Sequence, residues 1–301
     1  MSANKQEDNK IDLSIPDEFN LQGVALLTIT QASAYRGICA KIKLTPRRTM
    51  TNSLNITRYA IQNLTGNLEE DATIWKGYRN TDLPHKIQQF LYKALHGAYC
   101  IGEYWSNIPT LEHRVMCSHC KTETETFEHI MTECPNIAHT TIWNLAKNLW
   151  PAKYGEWPQI TMGTIMGCGN ISTIPQNRQE NNNQEEQKQN EKKGAMRLLR
   201  ILISESAHLI WVLRCDRTIN GAQHSKQSIN KCWITTLNKR LQTDRITAKL
   251  IIRKDKYKKL VTDTWSDVIS TDTNYNKNWA ITLEVLVGIS LPRTSTNEAP
   301  R

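Results

Sequence analysis

The feature that most restricts the fold of this chain is a set of four potential metal ligands within a short stretch near its middle. Cys117, Cys120, His129 and Cys134 have the spacing C-x2-C-x8-H-x4-C. Two cysteines separated by two residues fit a tight turn that presents both sulfurs to one ion, and the histidine and third cysteine complete a tetrahedral set. Pro135 should end the helix around His129, so that Cys134 turns back towards the ion. The spacing predicts a structural Zn2+, because four protein ligands leave no position open for a reactive water.

Other ligand-type residues leave alternatives open. His113 and His119 lie close to the motif, and either could replace His129. His96 and Cys100 are one helical turn apart and could chelate an ion, although a surface histidine beside a buried cysteine is the simpler explanation of this pair and the one we favour. The cysteines outside the motif have no pairing spacing and are expected to be small buried side chains: Cys39, Cys100, Cys168, Cys215 and Cys232.

Hydrophobic periodicity predicts a mainly α-helical protein that carries a small zinc knuckle. Apolar side chains recur at three and four residues in the stretches 21–43, 55–64, 84–97, 198–213 and 229–241. Gly66 and Gly97 stand where helix C-termini prefer glycine. Residues 245–259 should continue the last of these helices, while residues 279–290 are compatible with either a strand or a short helix.

Composition predicts two helical units joined by a disordered polar linker. The linker is placed at 170–194, because no apolar side chain occurs between Ile174 and Ala195 and such a segment cannot offset its ordering entropy by burial. The predicted organisation is a disordered tail, a helical region with the zinc module, the linker, a basic helical domain and a second tail: 1–20, 21–169, 170–194, 195–292 and 293–301.

The positive charge of the chain is concentrated behind this linker. The formal net charge is +9, yet residues 1–194 carry 20 basic and 20 acidic side chains, whereas the remainder carries 18 and 9. A basic excess of this kind suits an anionic partner such as nucleic acid or a membrane surface. The tail is therefore the segment predicted to attract that partner.

A stripe of basic residues is the predicted phosphate-binding surface. On one helix, Arg245, Lys249, Arg253 and Lys256 would repeat at four, four and three residues, with Lys254, Lys258 and Lys259 beside them. Trp233, Tyr257 and Trp265 could stack on unpaired bases, although aromatic residues at helical spacing are more often core residues. The same charge pattern would also fit a membrane-surface or calmodulin-target helix over 245–265.

Cysteine usage and the N-terminal residues predict an intracellular protein of the nucleus or cytoplasm. The chain begins MSANKQEDNK, with no apolar signal segment, and it is too long for its eight cysteines to be needed as disulfide staples. No apolar run approaches the roughly 20 residues of a membrane span. Secretion and a membrane partner are therefore not expected.

The acidic residues predict that the protein is not an enzyme. Polymerase and ribonuclease H chemistry needs clustered carboxylates for Mg2+, and the chain has no Asp-Asp pair. Glu205 is the one acid inside a strongly apolar stretch, where a structural pairing with a nearby arginine is the simpler interpretation. No small-molecule substrate is expected.

Several segments resemble a known family. These are IWKGYRNTDLPHKIQQFLYKALHGAYCIGEYW, CSHC, ETFEHIMTECP, IWNLAKNLW and RLLRILISESAHLIWVLRCDRTING. Together they resemble the zinc-binding region and helical tail that follow reverse transcriptase in non-LTR, LINE-like retrotransposon polyproteins. The resemblance spans roughly residues 50–245, and its most specific part is the four-ligand set with Glu128 and Trp143.

The resemblance implies that Cys117, Cys120, His129 and Cys134 bind zinc and that the region binds element RNA or target DNA. The polymerase and ribonuclease H modules are missing from this chain. The sequence therefore predicts a non-catalytic accessory protein that binds zinc and RNA or single-stranded DNA, with a reverse transcriptase in trans as a further partner. The alternative is a zinc-stapled protein-interaction module or an inactive mobile-element remnant.

Overall fold

The computed structural model describes residues 29–42, 47–172, 185–251, 254–270 and 278–290. The protein is mainly α-helical, as its periodicity predicts. The helices are α1 (Gln31–Lys41), α2 (Arg48–Thr65), α3 (Asp71–Gly77), α4 (His85–Leu95), α5 (Ile137–Leu149), α6 (Met162–Met166), α7 (Glu185–Asn220), α8 (Lys226–Leu250) and α9 (Lys254–Trp265). Within the described ranges, β structure is limited to two isolated antiparallel bridges.

The chain divides into two compact units after Arg47. In the first unit, Thr30 caps the N-terminus of α1 with its hydroxyl, which accepts a hydrogen bond from the Ser33 amide, and none of the helix residues is buried. The second unit contains α2 to α9. In this unit α2 and α4 end at glycines with positive φ, 79° at Gly66 and 58° at Gly97, which confirms both predicted helix ends.

Helix α7 forms the centre of the second unit. Its apolar residues are buried on most sides, so that it packs against α9, α5, α4 and the turn that carries His129. A helix that is apolar around most of its circumference is stable in water only when neighbours cover it on several sides. None of the helices in the described residues is long and apolar enough to cross a lipid bilayer.

A buried ion-pair network joins α7 to both earlier and later parts of the chain. Arg197 Nη1 and Nη2 donate to the two carboxylate oxygens of Asp244 on α8, at 2.7 and 2.8 Å, and its Nε donates to Asp82 at 3.0 Å. Asp82 also accepts from Arg200 Nη2 at 2.5 Å, and Asp244 accepts from Trp265 Nε1 at 2.8 Å. The loop before α4 is thereby fixed to α7, α8 and α9.

The predicted linker at 170–194 differs from the structure at both ends. Ile171 is buried and its carbonyl accepts from Arg200 Nη1 at 2.7 Å, while residues 185–194 are the first turns of α7. Residues 173–184 lie outside the described residues. The helices before and after this segment share one hydrophobic core, so the observed division falls at Arg47 rather than here. Composition did not predict that residues 185–194 are helical, because a polar segment can extend a helix whose later turns are held by packing.

The predicted continuous helix over 245–259 is interrupted. Helix α8 ends at Leu250 and α9 begins at Lys254, so the basic stripe is divided between two helices. Residues 279–290, where the sequence allowed a strand or a helix, form neither. They make turns and one antiparallel bridge between Ile269 and Ile289. The tails predicted at 1–20 and 293–301 lie outside the described residues.

Candidate metal centre

A short hairpin-like turn carries the first two cysteines. The Cys117 amide donates to the Glu123 carbonyl at 2.8 Å, the Lys121 amide donates to the Cys117 carbonyl at 2.9 Å, and Met116 forms an antiparallel bridge with Thr124. Lys121 has a φ of 57°, a left-handed conformation that lets the chain reverse within so few residues. This reversal places both sulfurs on the same side of the turn.

A single π-helical turn carries the other two ligands. The turn spans His129–Glu133, and the Cys134 amide donates to the His129 carbonyl at 2.8 Å. A hydrogen bond between residues five apart is the definition of the π turn, and it places His129 and Cys134 next to each other despite the four residues between them. Cys134 is extended, with φ −57° and ψ 133°, as the following Pro135 requires. The sequence prediction of a helix end here is confirmed.

The turn is held in place from both ends. The His129 amide donates to Thr126 Oγ1 at 2.9 Å, and Trp143 Nε1 on α5 donates to the Met131 carbonyl at 2.9 Å. A π turn leaves backbone groups without the usual helical partners, so side chains that bind them stabilise the turn. Helix α5 therefore orients the half of the cluster formed by His129 and Cys134.

The two turns bring the four predicted ligands together. Their donor atoms all lie within 4.8 Å of one another, with 3.7 Å between the sulfurs of Cys117 and Cys134 and 3.5 Å between Cys120 Sγ and His129 Nε2. Cys117, His129 and Cys134 are buried, and Cys120 is partly exposed. Four soft donors at these distances could hold one metal ion.

The thiols differ in how readily they ionise. Burial raises the pKa of Cys134 to about 12, whereas hydrogen bonds from the side chain and then the amide of Thr122 lower the pKa of Cys120 to about 6. Near neutral pH Cys120 is already a thiolate, while Cys134 keeps its proton until a cation takes its place. Metal binding at this cluster should therefore release a proton from Cys134 and weaken as the pH falls.

The hairpin turn is clamped to α7. Glu125 is 3% exposed and pairs with Arg214 through both oxygens, one of them accepting from Nε at 2.9 Å. The Arg214 guanidinium also lies 5.3 Å from the centre of the Trp211 ring, and Ser118 Oγ lies 3.3 Å from Thr218 Oγ1. Sequence reasoning missed this pair. The available signal was an arginine directly after the apolar stretch of α7, a position where burial requires a charged partner.

The alternative ligands lie outside the cluster. His113 and His119 are exposed, and His96 packs its ring against Trp75 and Tyr92. Burial, followed by the charge of Arg217, lowers the pKa of His119. In the part of the chain that the structure describes, no second group of three or more ligand-type side chains comes together. Of the cysteines expected to be small buried side chains, Cys168 is fully buried. The expectation is wrong for the exposed Cys100, which lies beside a partly buried His96, and for three partly exposed cysteines: Cys39, Cys215 and Cys232.

Glu205 has the structural role that the sequence favoured, with a different partner. Its carboxylate is buried and lies 3.1 Å from Lys86 Nζ on α4, whereas an arginine was expected. The nearby His208 packs edge-on against Phe90 at 5.6 Å. This group ties α7 to α4.

The predicted phosphate-binding residues have several different environments. Lys256 and Lys259 are exposed on α9, Lys258 Nζ donates to Asn278 at 2.6 Å, and Lys249 lies 3.8 Å from the exposed carboxylate of Glu284. Arg253 lies outside the described residues, and only the backbone of Lys254 is described.

Arg245 is wrongly placed in the stripe by the sequence. It is 1% exposed and donates to the carbonyls of Trp279, Thr282 and Val285, at 3.1, 2.6 and 2.8 Å. A guanidinium has five N–H donors, so it can satisfy several backbone carbonyls at once. Trp233 and Trp265 are also fully buried, so they are core residues rather than base platforms.

Comparison of the chain with protein-family models, curated proteins and solved structures found no match in any of the three.

Proposed function

We propose that this chain is a zinc-binding protein whose ion is structural and whose fold presents basic side chains to RNA or single-stranded DNA. The observation that carries the proposal is the preformed cluster of Cys117, Cys120, His129 and Cys134. Bond lengths of about 2.3 Å to sulfur and about 2.0–2.1 Å to nitrogen give tetrahedron edges of roughly 3.8 Å and 3.6 Å. Two of the six separations, 3.7 Å and 3.5 Å, match such edges, and all six are within 4.8 Å.

The chemistry of the cluster favours a structural ion over a catalytic one. Three sulfurs and one imidazole fill all four positions of a tetrahedral Zn2+, which leaves none for water or substrate. Three of the four ligands are buried, and the two turns that carry them are held by α5 and α7. The bound ion would contribute directly to folding free energy, since it joins the two turns that carry its ligands.

The proposed nucleic-acid contact depends on the exposed lysines. Lys256 and Lys259 project from α9, and Lys249 is about half exposed at the end of α8. Lysines on a mobile stem bind phosphates through charge alone, so they support affinity without sequence preference. This part of the proposal also draws on the resemblance to the zinc-binding region of non-LTR retrotransposon polyproteins, from which we infer an origin of the chain and a reverse transcriptase in trans as a partner.

Metal content tests the first part of the proposal. Native mass spectrometry of the purified protein should find one zinc, and Cys117→Ser should abolish it and lower thermal stability. Cys232→Ser is the matched control, because Cys232 is a partly buried cysteine outside the cluster. A metal-free wild-type protein, or a Cys117→Ser variant that keeps its zinc, would contradict the site.

A salt titration tests the second part. Affinity for single-stranded RNA and DNA should fall with salt, and replacing Lys249, Lys256 and Lys259 by alanine should reduce the log-log slope by about 2. The control replaces the exposed Lys147, Lys192 and Lys193, which removes the same charge elsewhere. Equal losses in both variants would mean that only net charge matters.

The second candidate function is a protein-interaction module. Ile246 and Leu250 are 46% and 75% exposed and lie one turn apart at the end of α8, where an apolar partner could cover them. A protein that binds zinc but shows no nucleic-acid binding near about 0.1 M salt would favour this alternative.

A further inference from the structure

Four aromatic rings form a partly exposed cluster on α3 and α4, far in sequence from the basic tail. The ring of Trp75 lies 5.9 Å from Tyr78, 6.3 Å from Tyr92 and 5.0 Å from His96, while Tyr92 lies 5.4 Å from Tyr78 and 4.3 Å from His96. Tyr92 is 44% exposed, and the other three are partly exposed. We name Trp75, Tyr78, Tyr92 and His96, together with Arg79, the aromatic surface.

The hydrophobic core beneath α3 and α4 consists mainly of side chains other than those of the aromatic surface. Helix α3 buries Ile74, and α4 buries Ile87, Leu91 and Leu95 among others. Trp75 and Tyr78 pack against this core and remain partly exposed. Partly exposed rings that contact one another offer an apolar face that a partner can cover.

Basic side chains outnumber acidic ones in the stretch that carries the aromatic surface. Residues 75–97 contain Lys76, Arg79, Lys86 and Lys93 but a single acid, Asp82, which is bound by Arg197 and Arg200. Three acids directly precede this stretch at 69–71, and the last of them, Asp71, pairs with Arg58. Lys86 is exposed and pairs with the buried Glu205, and the three other exposed cations of the stretch are Lys76, Arg79 and Lys93.

Arg79 is positioned on the rings themselves. Its guanidinium carbon lies 5.2 Å from the centre of the Tyr78 ring, and its Nε donates to the Tyr78 hydroxyl at 2.7 Å. A guanidinium held beside an aromatic ring offers a planar face for stacking and further N–H donors for a phosphate. The net charge of zero for residues 1–194 concealed this local excess, because most of the acids lie elsewhere in the sequence.

We propose that the aromatic surface stacks unpaired bases of a single-stranded nucleic acid, with Lys76, Arg79 and Lys93 neutralising the flanking phosphates. The inference rests on the proposed function and assigns base contact to α3 and α4, whereas α9 supplies charge. Single strands fit better than duplexes, because the faces of paired bases are already covered by their neighbours. A cationic peptide fits less well, since the aromatic surface contains no carboxylate that would pair with it.

The experiment uses the zinc-loaded full chain and an oligothymidylate of about ten nucleotides with one central 2-aminopurine, whose fluorescence falls when the base stacks. Wild-type protein should quench the probe. Tyr92→Ala should weaken binding about 10-fold and remove most of the quenching while leaving the salt slope unchanged. Tyr92→Phe, which keeps the ring, should behave as wild type.

Two further variants complete the test. Arg79→Ala should lower the salt slope by about 0.7, and Tyr59→Ala, at a 57% exposed tyrosine on α2 outside the aromatic surface, should change nothing. If Tyr92→Ala binds and quenches like Tyr59→Ala while the α9 lysine variants lose affinity, the inference is wrong and the proposed function stands. If wild-type protein binds neither the probe nor the corresponding oligouridylate, both the inference and the proposed nucleic-acid binding are wrong.

Discussion

In the C-terminal part of the chain, arginines of α7 and α8 lie in the interior, whereas lysines of α9 lie on the surface. Five arginines of α7 and α8 are buried or nearly so and bind carboxylates or carbonyls: Arg197, Arg200, Arg214, Arg240 and Arg245. The lysines at 256 and 259 on α9 are exposed instead. The planar guanidinium bonds two acceptors at once and is weakly hydrated, whereas an ammonium is held by water.

The contrast shows why a charge count over sequence segments misleads. Arg197 and Arg200 neutralise Asp82, and Arg214 neutralises Glu125, both acids that belong to the electrically neutral part of the sequence. Part of the tail's positive excess therefore balances carboxylates elsewhere in the same molecule. Among the basic side chains of the tail that the structure describes, exposed lysines such as Lys256 and Lys259 remain available to a partner.

The largest expected effect comes from the interior. Arg197→Met should lower the free energy of unfolding by about 3–5 kcal/mol, because it leaves Asp244 buried without its bidentate partner. Urea denaturation followed by circular dichroism measures the change. Lys259→Met, the surface control, should stay within about 0.5 kcal/mol. Similar losses of unfolding free energy in the two variants would contradict the proposed difference between interior arginines and surface lysines.

Arg214→Met should have a somewhat smaller effect, about 2–4 kcal/mol, and should also weaken metal binding because the hairpin turn loses its clamp to α7. The double variant Glu125→Leu with Arg214→Met should recover part of the loss, since no buried charge is then left unpaired. Unfolding free energies and zinc affinity by competition with a chelator test both statements. A double variant less stable than Arg214→Met would contradict this account.

His208 is a partly buried histidine whose surroundings favour the neutral form of its imidazole ring. Burial and then the charge of Lys86 lower its pKa to about 4. Between about pH 6.5 and about pH 4 the unfolded chain binds this proton and the folded protein does not, so stability falls as the pH decreases through that window. His208→Phe should lose less stability between about pH 7 and pH 5 than wild type, and parallel pH profiles would argue against the role of His208.

The smallest effect on folding is expected at the surface. Replacing Lys256 and Lys259 together by alanine should change the unfolding free energy by about 0.5 kcal/mol or less, while the affinity for single-stranded nucleic acid falls. Thermal and urea unfolding, measured beside the salt titration, check the two halves of this prediction. A large loss of stability would mean that these lysines contribute to folding as the interior arginines do, and it would contradict the prediction.

Sequence reasoning succeeded where the interacting residues are close together in the chain. The ligand cluster lies within one short stretch, where spacing alone brings donors onto two adjacent turns, and the helix ends at Gly66 and Gly97 depend on local backbone conformation. The Arg197–Asp82 contact joins residues 115 positions apart, and no spacing rule relates them. For the same reason Arg245 was assigned to the surface, because its carbonyl partners follow it by 34 to 40 residues.

The clamp between Glu125 and Arg214 has a consequence for the order in which the molecule assembles. During synthesis Arg214 leaves the ribosome 89 residues after Glu125, an interval of roughly 4–18 s at about 5–20 residues per second. For most of that interval the segment that forms the hairpin turn and the π turn has no complete α7 to pack against. We expect metal to load in this nascent state, and the arrival of α7 then to slow its exchange.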